Sequence, residues 1–543
     1  MRRLYLALFA TGLVVYGVAA WGRIWQQSGA PHFVYQADAW LHGSIAVPPN
    51  CGPCGPGDAC DPPPLPCRSG EPQLPADDWA TVETVELDDG RIVAGRRLVQ
   101  QRFRTLAGDE FAATDIQKPR SVPITPRGTQ TCAKLGGVET CWDANDPAEV
   151  VTLYDGREAV GRRLQKFRSL DGSELPVRSI RRSLGYTAYV SFPAFPSLLM
   201  IPSALISGRA GNDVIPTLLV AALILPLGLL LLRRLADAGL SKRTVRDDLW
   251  LVAMLAFGSV LLFSSIQGKV WYTAHVVGVA LALVYAWASI EARHPIIAGL
   301  ALGAAAMTRT SMAFMFPLFV YEVWRSCPAL PAGRRAIWRV LRRPLLEFAA
   351  PVLAIAVVGM IYNYLRFESP TEFGHSYLAL GNRQPVRQQV QIEQWGLASF
   401  HYLSRNLSVA FTLLPELVPR SPWIQISGHG LALWVTTPAL LLLVWPRDKG
   451  PLHRVLWLTV LLVALPSLLY MNSGWFQFGY RFSLDYTVFL VMLLAVGGRP
   501  IGRVAKALIA IGVVVNLFGA WTFDRKYEYY RTGGSAYDVV VAQ

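Results

Sequence analysis

One carboxylate stands apart in the stretch HFVYQADAWLHG, residues 32–43. Asp38 lies shortly beyond the first apolar run, between Ala37 and Ala39, with His42 four residues on. A lone aspartate in a polar segment is ordinarily a solvated loop acid or a helix cap. Held in a cleft, the same group can take a hydroxyl proton as a general base. What meets it decides between the two. The stretches YTAYVSFPAFP (186–196), GKVWYTAH (268–275), TRT (308–310), YNYLRFESPTEFGHSY (362–377) and GWFQFGYRFSLDY (474–486) are rich in aromatic and polar residues. They supply Lys269, Arg309 and Arg481, which suit a phosphate and would stabilise charge building on it as it leaves. They also supply Tyr189, Tyr272, Trp475 and Tyr480, whose flat faces suit sugar rings.

His42, His275 and His375 add acid–base candidates, against the plainer reading of a hydrogen-bonded structural histidine at a membrane edge. His275 shares one short stretch with Lys269 and Tyr272. Arg309 either contacts a donor phosphate or caps a hairpin against lipid headgroups. Asp485 is read as the partner of Arg481 one helical turn away. Carbohydrate chemistry on a phosphate-linked donor is the reaction these residue types fit.

The elements that must position them are apolar. Of 543 residues, 52% are hydrophobic and 16% charged, against about 25% charged in soluble domains. Runs such as VIPTLLVAALILPLGLLLL (214–232) reach the roughly 18 residues that signal a membrane helix. The chain therefore reads as an all-α polytopic membrane protein with spans near 4–22, 214–232, 249–266, 273–290, 295–308, 311–324, 345–364, 429–446, 455–471, 483–497 and 507–522, about eleven in all. The last two before 345 are short and read as a tight hairpin with Arg309 at its outer tip.

The net charge of +14 sits largely in short loops (233–246, 324–343, 447–454 and 498–506). Orientation bias places such loops on the cytoplasmic side, and a nucleic-acid partner is set aside. The start MRRLYLALFATGLVVYGVAAWG also has the form of a cleavable signal peptide; in either case residues 24 onward lie outside, and eleven spans put the C-terminus outside too. The Pro-rich segment 191–205 reads as a helix lying in the outer interface.

Residues 47–185 form an extracytoplasmic insert without a span. Cys51, Cys54, Cys60, Cys67, Cys132 and Cys141 lie there, and Cys327 lies in a basic loop. No second C-x-x-C or His pair accompanies the first, so disulfides are the reading in an outer compartment, with the pairing open. An internal repeat follows: VELDDGRIVAGRRLVQQRFRTLAGDEF (85–111) matches VTLYDGREAVGRRLQKFRSLDGSEL (151–175). Asp-Gly between alternating residues marks hairpins, so each copy is a small β-meander and the two pair into one sheet. Its role is either packing or the binding of an anionic glycan or lipid acceptor by its arginines. Residues 1–46 carry the first span and Asp38; residues 186–543 form the membrane domain, with outer loops 366–428 and 472–482.

Four pieces, in this order along the chain, carry a family resemblance: YQADAWLHG, YVSFPAFPSLLMIP, GLALGAAAMTRTSMAFMFP (299–317) and GWFQFGYRFSLD. Their sequence resembles that of polyprenyl-phosphate-sugar-dependent glycosyltransferases of the GT-C fold, of the protein O-mannosyltransferase and lipid A aminoarabinose transferase type. The resemblance implies a single-displacement, inverting transfer at the outer face of the inner (plasma) membrane. It places the first-loop catalytic base on Asp38 and implies a polyprenyl-phosphate-linked monosaccharide as donor. The acceptor would be a protein hydroxyl, a lipid-linked glycan or lipid A. Many relatives carry two adjacent acids in that loop, whereas Asp38 is flanked by alanines. Some members use a divalent cation; here no ligand cluster stands out. The rival class is a transporter or flippase for a lipid-linked substrate. The spans hold few charges and no matching halves, which disfavours it. A third reading makes the chain an assembly partner whose β-module acts.

Overall fold

The computed structural model describes residues 1–47, 79–112, 115–119, 125–127, 129–143, 148–153, 155–327, 334–378, 392 and 394–531. The helices are α1 (Arg2–Ala19), α2 (His32–Leu41), α3 (Phe195–Ser207), α4 (Val214–Asp237), α5 (Val245–Ala256), α6 (Leu261–Ser265), α7 (Val270–Ser289), α8 (Pro295–Ala306), α9 (Pro317–Arg325), α10 (Arg334–Phe367), α11 (Leu403–Phe411), α12 (Leu433–Thr436), α13 (Pro451–Leu468), α14 (Leu484–Val496) and α15 (Arg503–Thr522).

Among the described residues, six helical segments are long and apolar enough to cross a membrane: Arg2–Ala19, Val214–Asp237, Val270–Ala292, Val340–Phe367, Pro451–Leu468 and Arg503–Thr522. The other apolar runs are shorter or broken. Run 249–266 divides into α5 and α6, and 429–446 into α12 and a 3-10 turn. Run 311–324 opens as 3-10 helix before α9, and α8 and α14 are 12 and 13 residues long. At 1.5 Å per residue such helices cover about 20 Å, against a hydrocarbon core of about 30 Å.

Burial ranks the helices. The span windows of α1 and α10 are only 11% buried, that of α7 78%, so α7 is central and α1 and α10 are peripheral. Every residue of α14 is buried. At its far end α14 is tied down by Arg243, which donates from Nε to Ala495 O (3.2 Å) and from Nη2 to Leu494 O and to Arg499 O (2.7 Å). The small-residue run of α8 has a packing cause. A Cβ on Gly299 would come within 2.2 Å of Phe348 O on α10, so only glycine allows that approach.

The insert is a β-structure. Its strands are β1 (Trp79–Leu87), β2 (Ile92–Thr105), β3 (Glu110–Ala112), β4 (Ile116–Pro119), β5 (Thr125–Arg127), β6 (Gln130–Leu135), β7 (Val138–Asp143), β8 (Glu149–Leu153), β9 (Glu158–Ser169), β10 (Glu174–Pro176) and β11 (Ile180–Val190). The larger sheet has the order β11-β1-β2-β9-β8-β4, with β3 on β2 and β10 on β9. The repeats meet through β2 and β9, antiparallel, from Gly95↔Ser169 to Thr105↔Gly161. A Cβ on Gly95 would meet the Phe167 ring at 2.8 Å, and one on Gly161 the Phe103 ring at 2.7 Å. Each repeat's glycine is thus the seat for the other's buried phenylalanine. A second sheet, β5-β6-β7, holds the Cys132–Cys141 disulfide across directly opposed residues. Cys51, Cys54, Cys60 and Cys67 lie outside the described residues.

The insert docks on α2. Trp79 stacks on His32 at 4.4 Å, and Tyr35, Val47, Trp79 and Val190 form one buried cluster. Arg366, at the end of α10, donates to Val190 O (2.7 Å) and holds the last strand against the bundle.

Candidate functional site

Two buried carboxylates outside the insert have opposite surroundings. Asp38 belongs to α2, which follows Pro31 and ends at His42 and Gly43, whose φ of 72° a Cβ would disfavour. The helix is fixed on several sides. Phe33, Val34 and Ala37 pack with Met200, Ala204, Val270 and Ala274. Ser197 Oγ donates to Gln36 Oε1 (2.5 Å), and Gln36 Nε2 and Trp40 Nε1 donate to Tyr362 Oη (2.9 and 3.3 Å). The loop before it is anchored by Asp213, which accepts from Ser28 N (2.9 Å) and Oγ (2.5 Å); burial pushes the Asp213 carboxyl up while those hydrogen bonds pull it down.

On this rigid mount Asp38 is 6% exposed, yet its own oxygens are lightly engaged. Oδ2 lies 3.5 Å from Arg209 Nε and Oδ1 3.6 Å from His42 Nδ1. His42 Nδ1 is closer to the Asp38 carbonyl, at 2.8 Å. With the proton on Nδ1 for that bond, Nε2 is left basic, and the His42 side chain is 75% exposed. Asp38 therefore has lone pairs to spare, beside one cation and one solvent-facing imidazole.

Asp485, at the start of α14, has none to spare. Oδ1 accepts from Arg309 Nε (3.0 Å) and lies 2.9 Å from His275 Nδ1. Oδ2 accepts from Arg309 Nη2 (3.0 Å), Arg309 Nε (3.2 Å) and Ser311 Oγ (2.7 Å). A carboxylate offers about four lone-pair positions, and all are taken. The hub joins α7, α14 and the α8–α9 connection. Phe482 lies against it, with the Arg309 guanidinium 5.1 Å from its ring centre, His275 at 5.7 Å and Tyr480 at 5.9 Å.

This corrects three expectations. Asp485 is not the partner of Arg481, which donates instead to the carbonyls of Gly474 and Phe476 and lies over Tyr272 (5.2 Å). Arg481 precedes α14 in a 3-10 turn, so the helical spacing rule does not apply. Nor does Arg309 cap a hairpin in the headgroups: its side chain is 20% exposed and bound to the buried acid. His275 is in the second turn of α7 and buried, not on an outer loop.

The structure thus gathers Tyr272, His275, Arg309, Tyr480 and Arg481 around Phe482 and the 474–482 loop. It does not join Asp38 to them: no ion pair or hydrogen bond links Asp38 with Lys269, Arg309 or Arg481 among the described residues. Lys269 pairs with Asp524 at 2.8 Å. Tyr189 packs on Phe367 (5.4 Å), and Trp475 on His429 (4.8 Å) at the loop's outer edge. A line of rings runs between the two acids' neighbourhoods, from His32 to Phe192 (6.1 Å), His375 (5.7 Å), Tyr470 (6.3 Å) and Phe482 (6.4 Å). His32 and His375 are kept neutral: burial pushes each down to about 4, with Arg309 and Arg366 assisting at His375 and Glu372 opposing.

Sequence reasoning missed Ser311, Phe482, Arg209 and the Gln36–Tyr362 clasp. Ser311 was legible as a hydroxyl two residues from Arg309; the others meet their partners only through the fold. No cluster of three or more His, Cys, Asp or Glu able to hold a metal occurs among the described residues. Comparison with family models, with curated proteins and with solved structures finds no match.

Proposed function

We propose that this chain is an integral membrane glycosyltransferase of the GT-C type. It would move a monosaccharide, with inversion, from a polyprenyl-phosphate donor to a protein, glycan or lipid A acceptor at the outer face of the inner membrane. Eleven apolar runs with basic cytoplasmic loops support the orientation, the shorter runs completing the bundle around the six long helices. The observation that carries the reading is the state of Asp38: a buried carboxylate on a braced helix, with both oxygens short of a hydrogen bond. That is what a general base for an acceptor hydroxyl requires. Arg309 and Arg481, both lying against Phe482, supply positive charge for the donor phosphate, and the rings of Tyr272, Tyr480 and Phe482 supply flat apolar faces.

One observation favours a second reading. A buried Asp–Arg–His cluster among membrane helices is the signature expected of a transporter path, here for a lipid-linked substrate. Reconstituted protein supplied with radiolabelled polyprenyl-phosphate sugars separates the two. Transfer of label that disappears in Asp38→Asn, with the variant still inserted and folded, supports the enzyme. Movement of the intact lipid-linked sugar across the bilayer without transfer overturns it in favour of transport.

A further inference from the structure

The hub around Asp485 has a second face. Arg309 spends Nε and Nη2 on the carboxylate, and its Nη1 makes no hydrogen bond among the described residues. Two buried groups beside it also lack partners there: the Tyr480 hydroxyl and His275 Nε2. Both residues pack, like Arg309, against Phe482. Buried polar groups are normally satisfied, and each exception costs on the order of 1–3 kcal/mol. Two unsatisfied buried groups next to a partly exposed guanidinium with a free edge therefore call for an explanation. His275 is fixed in orientation by Asp485 at Nδ1 and Arg309 by two-pronged contact, so neither can turn to find another partner.

We infer that Asp485, with Ser311, is a positioning residue: it aims the free Nη1 edge of Arg309 so that this edge, the Tyr480 hydroxyl and the His275 ring take the phosphate of a phosphorylated lipid. The inference rests on the reading of Arg309 as a donor-phosphate contact and adds what makes that contact possible. An arginine paired through Nε and Nη2 keeps a full N–H pair on its remaining nitrogen. Pairing also fixes its long side chain in advance, so less entropy is lost when the anion arrives. The chemistry recognised is a phosphate monoester or diester. Its sources are a polyprenyl phosphate, an ordinary anionic phospholipid or free phosphate.

The test uses the full chain in detergent and three probes: a C55 polyprenyl monophosphate, phosphatidylglycerol and inorganic phosphate. Polyprenyl monophosphate is expected to bind at least tenfold more weakly to Arg309→Gln and to Asp485→Asn than to wild type. Asp485→Glu should recover part of the loss. Ser311→Ala, which removes one hydrogen bond and leaves no charge unpaired, should weaken binding about threefold, and it stands in if Asp485→Asn does not fold. Wild-type affinity in a folded Asp485→Asn, or in Ser311→Ala where it stands in, overturns the assignment. Phosphatidylglycerol bound as tightly, and weakened alike in Asp485→Asn, supports the assignment with an ordinary phospholipid as the source, whereas free phosphate binding as tightly as either lipid overturns it by making this a general anion site. Binding that follows Asp485 without any sugar transfer keeps the inference and removes the enzyme. Transfer in which Asp485→Asn lowers kcat at unchanged donor KM keeps the enzyme and removes the inference.

Discussion

Asp38 and Asp485 are both buried aspartates close to the ends of apolar runs, and they differ in what their oxygens touch. Asp38 has its helix clamped and its carboxylate left loose. Asp485 has its carboxylate clamped from three directions. A base must have a lone pair to offer, and an anchor must not, so burial alone does not distinguish a reacting acid from a structural one. The count of donors within hydrogen-bond reach does.

The contrast can be broken most decisively at Asp38. Asp38→Asn is expected to lower sugar transfer by about 10²–10⁴-fold, the usual share of a general base, while the melting temperature in detergent stays near that of wild type. A variant that unfolds instead would show that Asp38 is structural. The converse change, Asp485→Asn, leaves the partly buried Arg309 cation without its counter-charge. Removing one partner of a buried pair costs roughly 3–5 kcal/mol, so a large fall in Tm is expected, well beyond that of Asp38→Asn. Equal Tm values for the two variants would erase the distinction.

Acid should act on the rings between them. Above the ordinary histidine value of about 6.5, His32 and His375 are neutral in both folded and unfolded chains and contribute no pH dependence. As pH falls from there towards about 4, the unfolded chain binds protons that the folded chain refuses. Stability is then lost, by up to about 3 kcal/mol per group, and the loss levels off below that range. Tm measured from pH 8 to 4 should fall in this window, and His32→Gln should flatten the slope. The smallest effect is expected at Arg209→Ala. It removes the cation 3.5 Å from Asp38 and should lower sugar transfer by less than about threefold, as for other partly exposed pairs worth under about 1 kcal/mol.

Much of this architecture was readable in the sequence because it is written locally. The apolar runs gave the long helices, and the matched Gly and Phe of the two repeats gave a sheet in which each copy seats the other. Helix breaks were less visible. The run 311–324 is mostly apolar, with Ser311 and Glu322 the exceptions, but Pro317 and the extended backbone at Arg309 turn it into a 3-10 segment and a short helix. The site itself divides the same way. Asp38 was conspicuous because nothing charged adjoins it. The Asp485 hub was misread because its partners come from residues 275, 309 and 311, and spacing along the chain carries no record of such meetings. Spacing suggested Arg481, whose guanidinium is turned back on its own loop by the carbonyls of Gly474 and Phe476.

The grip of Arg243 on the carbonyls at residues 494, 495 and 499 has a mechanical consequence. Together with the Asp485 junction it bolts one helix at top and bottom, each bolt reaching into different neighbours. A strut fixed at both ends can transmit load but cannot swing, so any rearrangement of the bundle must hinge among the peripheral helices, leaving α14 as the stationary post.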